Sequence, residues 1–488
     1  MAGKFLKFFS PFVRIMPELK QPQREVSFKE KFIWTAVVLI VYLILSNIPL
    51  YGVNLEQTTD YYYWLRVILA SQRGTLTELG IGPIVTAGLI MQLLLGSKII
   101  NVNMADPYDR AMFSGAQKVL AMILTIFNAV AYIIGGAFGD PADLGIANIT
   151  FIFLQLLFAG VIIILLDELL QKGWGLGSGI SLFIAAGVAG QVFWNVFSFI
   201  EGPDGNSRGL LIAFFRALAD PTFEVGDLFL REQALPSILG GITTIIIFVI
   251  VIWFESTRVE IPLAYSGHRG FKGKYPMKLL YVSNIPVILV NALYANFLFI
   301  GQLIAGPSSG LRGQNPTLDF FLDLIGTFEQ SSEGTAFGNY LIPKSGLIYY
   351  LSPPQGIDAL LDDPIRGVIY LAIFIVLCVM LGRVWVEVSG LAPRDIAGQI
   401  LDSGMQIPGF RSSERIIERI LKRYIPTLVI LNGFIIATMS FFADSLGALT
   451  SGTGLLIAIG IVHQYSETIA KEVAASQYPG MRGFLGLD

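Results

Sequence analysis

The sequence predicts an all-α polytopic membrane protein, and three observations carry that reading. Only 14% of the 488 residues are charged, whereas a soluble domain carries about 25%. Mean hydropathy is +0.65. Cut at its charged residues, the chain falls into ten long uncharged runs: 32–55, 79–97, 119–139, 144–166, 173–200, 233–254, 279–311, 367–382, 424–443 and 445–466. All but one reach the roughly 18 residues that argue for a membrane-crossing helix. The exception, 367–382, has 16; Arg366 and Arg383 at its ends can carry their charges outward on long apolar stems.

The elements follow in order. Residues 1–31 form a cytoplasmic N-terminal segment. Phe5, Phe8, Phe12 and Ile15 fall three or four apart, the spacing of one face of an amphipathic helix on a membrane surface. Pro11 and Pro17 keep that helix short, and Lys4, Lys7, Arg14 and Lys20 leave no apolar stretch for a cleavable signal peptide. Residues 32–200 hold runs one to five. An external loop, 201–232, leads to a second unit, 233–473, with runs six to ten and two long cytoplasmic loops, 255–278 and 383–423. Residues 474–488 form a cytoplasmic tail. The second run begins badly: RGTLTELGIGPIVTAGLIMQLL (73–94) opens with Arg73 and Glu78 and is interrupted by four glycines and Pro83.

With ten spans both termini share one face. That face carries 25 Lys and Arg against 17 Asp and Glu; the other carries 8 against 19. The positive-inside rule makes the first face cytoplasmic. A repeat divides the spans. SGISLFIAAG (178–187) opens the fifth and SGTGLLIAIG (451–460) the tenth, with six of ten positions alike. Five spans are an odd number, so the two halves stand upside down to each other. Inverted repeats of this kind put their path at the interface between the halves.

Little in the sequence suggests catalysis, and no enzyme activity, cofactor or metal is expected. The two histidines, His268 and His463, lie far apart, and Cys378 is the one cysteine. GWGLGSG (173–179) follows no strand and enters a span, so it does not read as a phosphate loop. Asn148-Ile-Thr150 matches a glycosylation signal but abuts a span. A secondary transporter of small solutes built on inverted repeats is the alternative, yet it calls for an ionisable residue at membrane depth. The run interiors hold Thr86, Asn128, Asn291 and Asn296 instead. Each can serve a helix–helix hydrogen bond; together they make a polar seam if their helices meet.

In the cytoplasmic loops, RVEIPLAY alternates like a strand before a Gly-rich basic turn, so a hairpin bearing Arg269, Lys272 and Lys274 is expected. GFRSSERIIERILKRYIP carries Arg411, Arg415, Arg419, Lys422 and Arg423 with Glu414 and Glu418 interleaved, the pattern of a salt-bridged helix. Two basic loops on one face suit a polyanion such as RNA, or anionic lipid headgroups.

RGTLTELGIGPIVTAGLIMQLL, DRAMFSGAQK, LLDELLQKGWGLGSGISLFIA, YVSNIP, WVEVSG and SGTGLLIAIGIVHQY, in this order, resemble the SecY family, the channel subunit of the Sec protein translocase, and especially its archaeal and eukaryotic-type members. The resemblance implies a ten-helix clamshell of two inverted halves with a plug helix. It implies a pore ring of Ile81, Val85, Ile180, Ile184, Ile288 and Ile457, an apolar constriction that dewets yet parts around a peptide. It implies a lateral gate with Thr86, Asn128 and Asn296 at polar positions, where the family often has Gln in place of Asn128. The plug falls at about 60–72 and includes Tyr63, Trp64, Leu65, Arg66, Val67, Ile68 and Leu69, with Gly74 as its hinge. Arg66 and Arg73 are tolerable there because that segment faces water or protein. Arg269, Lys272, Lys274 and Arg411 match ribosome-docking positions. The implied partners are SecE/gamma-type and beta-type small subunits, the ribosome, nascent secretory and membrane polypeptides with signal sequences, and the lipid bilayer. The implied location is an archaeal cell membrane in preference to the endoplasmic reticulum.

Overall fold

The computed structural model describes residues 4–477, apart from 25, 54–65, 67–68, 98, 101, 103–105, 140, 203, 221–224, 232–234, 266–271, 307–310, 312, 314, 331–340, 355, 403–404 and 407–412. A helix stands in each of the ten uncharged runs. After α1 (Lys4–Ile15) come α2 (Phe28–Asn47), α3 (Gly82–Gly96), α4 (Pro107–Ile134), α5 (Pro141–Leu169) and α6 (Gly179–Phe197). A short helix, α7 (Leu210–Ala219), precedes α8 (Ile238–Ser256). Strands β1 (Arg258–Tyr265) and β2 (Lys272–Lys278) lead to α9 (Ile285–Ala305), α10 (Pro316–Ile325), β3 (Thr327–Gln330), β4 (Leu341–Ser345), α11 (Leu347–Leu351) and α12 (Gly356–Asp362). Then come α13 (Pro364–Val388), α14 (Pro393–Asp402), β5 (Met405–Gln406), α15 (Glu414–Ser445) and α16 (Gly452–Gln477). Among the described residues, seven helices are long and apolar enough to cross a membrane; α2, α3 and α16 fill the other three runs.

The short eighth run extends at both ends into the 25 residues of α13. Arg366 is half-buried. It donates to the Tyr349 and Ser352 carbonyls (3.1 and 3.3 Å) and lies over the Tyr349 ring. The two carbonyls and the ring thus supply part of the guanidinium's contacts.

The core is one apolar cluster drawn from both halves, and α6 and α16, the two helices of the repeat, pack against each other. Close approach relies on small residues: a Cβ on Gly433 of α15 would sit 2.8 Å from the Val379 side chain of α13. Both repeat helices also begin in the same way. Asp167, at the end of α5, accepts from the Ile180 amide (3.1 Å), the Ser178 hydroxyl (3.2 Å) and Gln171 (2.8 Å). Asp444, at the end of α15, accepts from the Gly452 amide at 2.7 Å. Each carboxylate satisfies amides left bare at a helix N-terminus and meets the positive end of the helix dipole.

The loops after α8 and α13 build a smaller unit with its own core, including Ile261, Met277, Ile396, Ile417 and Leu421. The expected hairpin forms: β1 and β2 pair antiparallel with Pro262 opposite Lys274. The other loop joins it, since β5 pairs with the end of β1. The N-terminal segment is strapped to the same face. Glu18 pairs with Lys172 at 2.7 Å, and Trp174 donates to the Lys20 carbonyl at 2.9 Å. The Lys172 hydrogen bond holds the Glu18 carboxyl below its ordinary range. Phe8, Phe12 and Ile15 are exposed, as an amphipathic α1 requires, while Phe9 packs inward.

Replacing Asp444 by Ala leaves the Gly452 amide bare in a buried site. We expect a loss of about 1–3 kcal/mol, read as a lower thermal midpoint of the purified channel. Asp444→Asn keeps an acceptor and loses less; equal midpoints for Asp444→Ala and the parent chain would remove the cap from this account.

Candidate functional site: a sealed pore beside a stitched gate

The six apolar residues expected to form a ring come from α3 and the residue before it, α6, α9 and α16, and all belong to or pack against one apolar cluster. Ile81, Val85, Ile184 and Ile457 are buried within the main core, and Ile180 and Ile288 are half-buried against it. Ile184 of α6 and Ile457 of α16 are both 0% exposed. Each lies five residues beyond the first residue of its helix, so the acid-capped starts set their depth.

The start of the second run is irregular backbone, folded into protein rather than lipid. Pro83 stands in the first turn of α3, where its missing N–H is no loss. Before it, Thr77, Glu78, Leu79 and Ile81 are all buried. Glu78 organises the stretch. It pairs with Arg66 at 3.0 Å and accepts from the Gly74 amide, while its carbonyl accepts from the Ser71 hydroxyl at 2.5 Å. Arg66 also donates to Ser71 at 3.1 Å. Gly74, at φ +70, is therefore pinned in this state. Leu69 is buried in the same core as the ring, and its carbonyl accepts from the Ile81 amide at 2.8 Å. This approach needs glycine at position 80: its φ is +53, and a Cβ there would fall 2.1 Å from the Leu69 carbonyl oxygen. The Tyr42 hydroxyl donates to the Ala70 carbonyl at 2.9 Å. Of the expected plug residues, Tyr63, Trp64, Leu65, Val67 and Ile68 lie outside the described residues.

The polar seam closes in part. The Asn296 amide of α9 donates to the Thr86 hydroxyl of α3 at 3.0 Å, crossing from one half to the other. Asn128 is buried on α4, outside that hydrogen bond. Asn291 turns back to the Val287 carbonyl of its own helix. The seam also holds a contact that residue types alone did not reveal: Tyr132 of α4 stacks on Phe299 of α9, ring centroids 5.1 Å apart. A further one is Asn284, which precedes α9 and donates to the Leu456 and Ile457 carbonyls (3.2 and 3.4 Å), tying the start of that helix to the ring. On the opposite side, α6 and α16 are joined by Asn195 to the Leu449 carbonyl (2.7 Å) and Thr450 to Gln191 (2.6 Å); Tyr465 donates to the Leu176 carbonyl (3.0 Å).

Of the basic residues, Lys274 is exposed and paired with Glu260 across the hairpin. Lys272 lies in β2, and Arg269 and Arg411 fall outside the described residues.

Apolar helices of both halves on one core, a buried irregular stretch ahead of α3 and polar contacts between the halves suit a membrane channel. The chain belongs to the SecY family, whose model matches residues 75–466; a model for the plug domain of Sec61p matches 40–74, which includes the expected plug. Solved structures agree. A structure described as that of a protein conducting channel is 37% identical, with 96% of this chain and 98% of that one covered and a TM-score of 0.78. Sec61 in the canine ribosome–channel complex from the endoplasmic reticulum is also 37% identical, over 96% and 98% of the two chains, with a TM-score of 0.76. The idle yeast Ssh1 complex bound to the yeast 80S ribosome is 26% identical over 96% and 94%, with a TM-score of 0.75.

The Thr86–Asn296 bond should show up as coupling. In a double-mutant cycle of Thr86→Val and Asn296→Leu, unfolding free energies should be non-additive by about 0.6–1.7 kcal/mol. Additive losses would mean that the bond does not hold the seam.

Proposed function

We propose that this chain is the central pore-forming subunit of a protein-conducting channel. It passes secretory polypeptides across the membrane through the ring and releases apolar helices into lipid through the seam between α3–α4 and α9–α13. The observation that carries this reading is the join at Ile81: one residue belongs to the ring and holds Leu69 of the plugged segment by its amide. A signal helix entering the seam gains about 25 cal/mol for each Å² of apolar surface it withdraws from water. That gain opposes the Thr86–Asn296 bond and the Tyr132–Phe299 stack. As α3 moves, Ile81 and Val85 move with it, and the grip on Leu69 loosens. The small-solute transporter gives way to this reading, which the family and its structural neighbours support.

The finer assignments belong to the same reading. Ile81, Val85, Ile180, Ile184, Ile288 and Ile457 form the ring, Thr86, Asn128 and Asn296 the polar gate positions, and residues 60–72 the plug. Arg269, Lys272, Lys274 and Arg411 contact ribosomal RNA, in keeping with the ribosome-bound state of the canine and yeast neighbours. SecE/gamma-type and beta-type subunits complete the complex. Both termini are cytoplasmic, and the membrane is that of an archaeal cell rather than the endoplasmic reticulum.

A crosslink tests the pore. With Cys378 replaced by Ser and a single cysteine at Ile184, a stalled ribosome presents a secretory chain carrying one mid-length cysteine. We expect an adduct with that chain and none with a cytosolic chain. Absence of the adduct, while a cysteine beside Arg269 still crosslinks to the ribosome, would refute the pore assignment.

Deleting residues 60–72 should raise ion leak across reconstituted membranes. Unchanged conductance would argue against a plug.

A further inference from the structure

Helix α10 presents a surface that neither the ring nor the gate uses. Leu322 is buried, and Leu318 and Ile325 pack on the main core, with Ile325 lying against Gly301 of gate helix α9. Phe320, Phe321 and Leu324 are 67%, 62% and 63% exposed. Asp319 and Asp323 take the remaining face; Asp319 accepts from the Gly313 amide at 2.9 Å. At about 100° per residue, the core, apolar and acidic directions lie roughly 120° apart. A helix in water against protein needs two faces, one apolar inward and one polar outward. A third face, apolar and pointing away from the protein, requires a third medium.

The same division recurs in α7, the other ten-residue helix placed among the external connections. Ala213 and Ala217 are buried with Phe214 packed beside them. Leu211, Phe215 and Leu218 are exposed, and Arg216 lies in the remaining direction, paired with Glu201 at 3.3 Å. Helix α7 packs against α6, whose Phe193, Trp194 and Phe197, followed by Phe199 and Ile200, are also exposed. Lipid is the medium that covers α6, and it extends to its neighbour.

We propose that α10 lies in the external lipid–water interface beside the outer end of α9, with Phe320, Phe321 and Leu324 in the acyl region and Asp319 and Asp323 toward water. Such placement follows the rule for interfacial helices, with the apolar face a few ångströms into the acyl boundary, aromatic residues at the interface and acids in water. It anchors the outer end of the gate helix to the external leaflet.

Cys378 is the chain's only cysteine and is buried, so a new surface cysteine takes a nitroxide label alone. The complete channel is reconstituted in vesicles of phosphatidylcholine and phosphatidylglycerol with Phe320→Cys, Phe321→Cys, Leu324→Cys or Asp323→Cys. Oxygen, which partitions into lipid, and a water-soluble nickel chelate compete to relax each label. The expected ratio of oxygen to nickel collisions is several-fold higher at 320, 321 and 324 than at 323. Nickel reaching all four alike would put this face in water, and neither reagent reaching 320, 321 and 324 would put another protein over it; both overturn the proposal. The unaltered chain gives a second measurement: a phospholipid with a photoactivatable group near its headgroup should label the peptide 316–325, and a blank there overturns it too. Neither measurement depends on translocation, so a channel that fails to pass polypeptides still tests it.

Discussion

Everything in this structure turns on how unequally the two halves are fastened. Along α6 and α16 and the loop before α6, Asn195, Gln191 and Leu176 meet Leu449, Thr450 and Tyr465 in three polar ties. Along α3 and α9, one side-chain hydrogen bond crosses among the described residues, from Asn296 to Thr86. In lipid such a bond contributes about 0.6 kcal/mol, comparable to thermal energy. The side-chain ties between the halves thus differ in kind, several polar ties on one side and one hydrogen bond with an aromatic stack on the other. In the proposed function it is the second side that opens.

The short helix α3 makes that opening consequential. Within six residues it carries Ile81, whose amide holds Leu69, then Val85, then Thr86. The Leu69 contact, two expected ring residues and the Asn296 contact thus fall within one short stretch of chain. In the proposed function, displacing α3 acts on all three together. The Arg66–Glu78 pair explains why the closed arrangement is definite. Glu78 is 4% and Arg66 13% exposed in their side chains, so each charge is largely withdrawn from water. Separating them leaves an ill-solvated charge unless both reach water or new partners. The plugged state is held by a contact that solvent can replace only once the funnel has opened.

Much of this was legible in the chain. Charge-free runs located the helices because lipid tolerates little else, and the match of 178–187 with 451–460 located the two that pack across the pseudo-symmetry. The alternation in RVEIPLAY gave the hairpin. What stayed hidden were contacts between residues distant in sequence. Asn284 reads as one asparagine before a proline, yet its partners lie 172 and 173 residues on. Tyr132 and Phe299 each read as ordinary apolar helix residues. Asp167 and Asp444 escaped for a different reason: cutting the sequence at charges placed both just outside the runs, as though they were solvated ends.

Those two acids bear on what sort of membrane protein this is. A buried carboxylate in a transporter stands on the pathway with a changing partner, and its proton or ion drives the cycle. Asp167 and Asp444 instead accept from backbone amides at fixed helix starts. Their partners belong to the fold and not to a cargo. Each half uses one, and each sits at the start of a helix that carries an isoleucine of the proposed ring. These two acids are spent on geometry, and in the proposed function the pathway itself is lined by apolar side chains that hold neither ion nor peptide. A channel that must pass many sequences and keep none is best lined that way, with the work of translocation left to whatever pushes or pulls the chain.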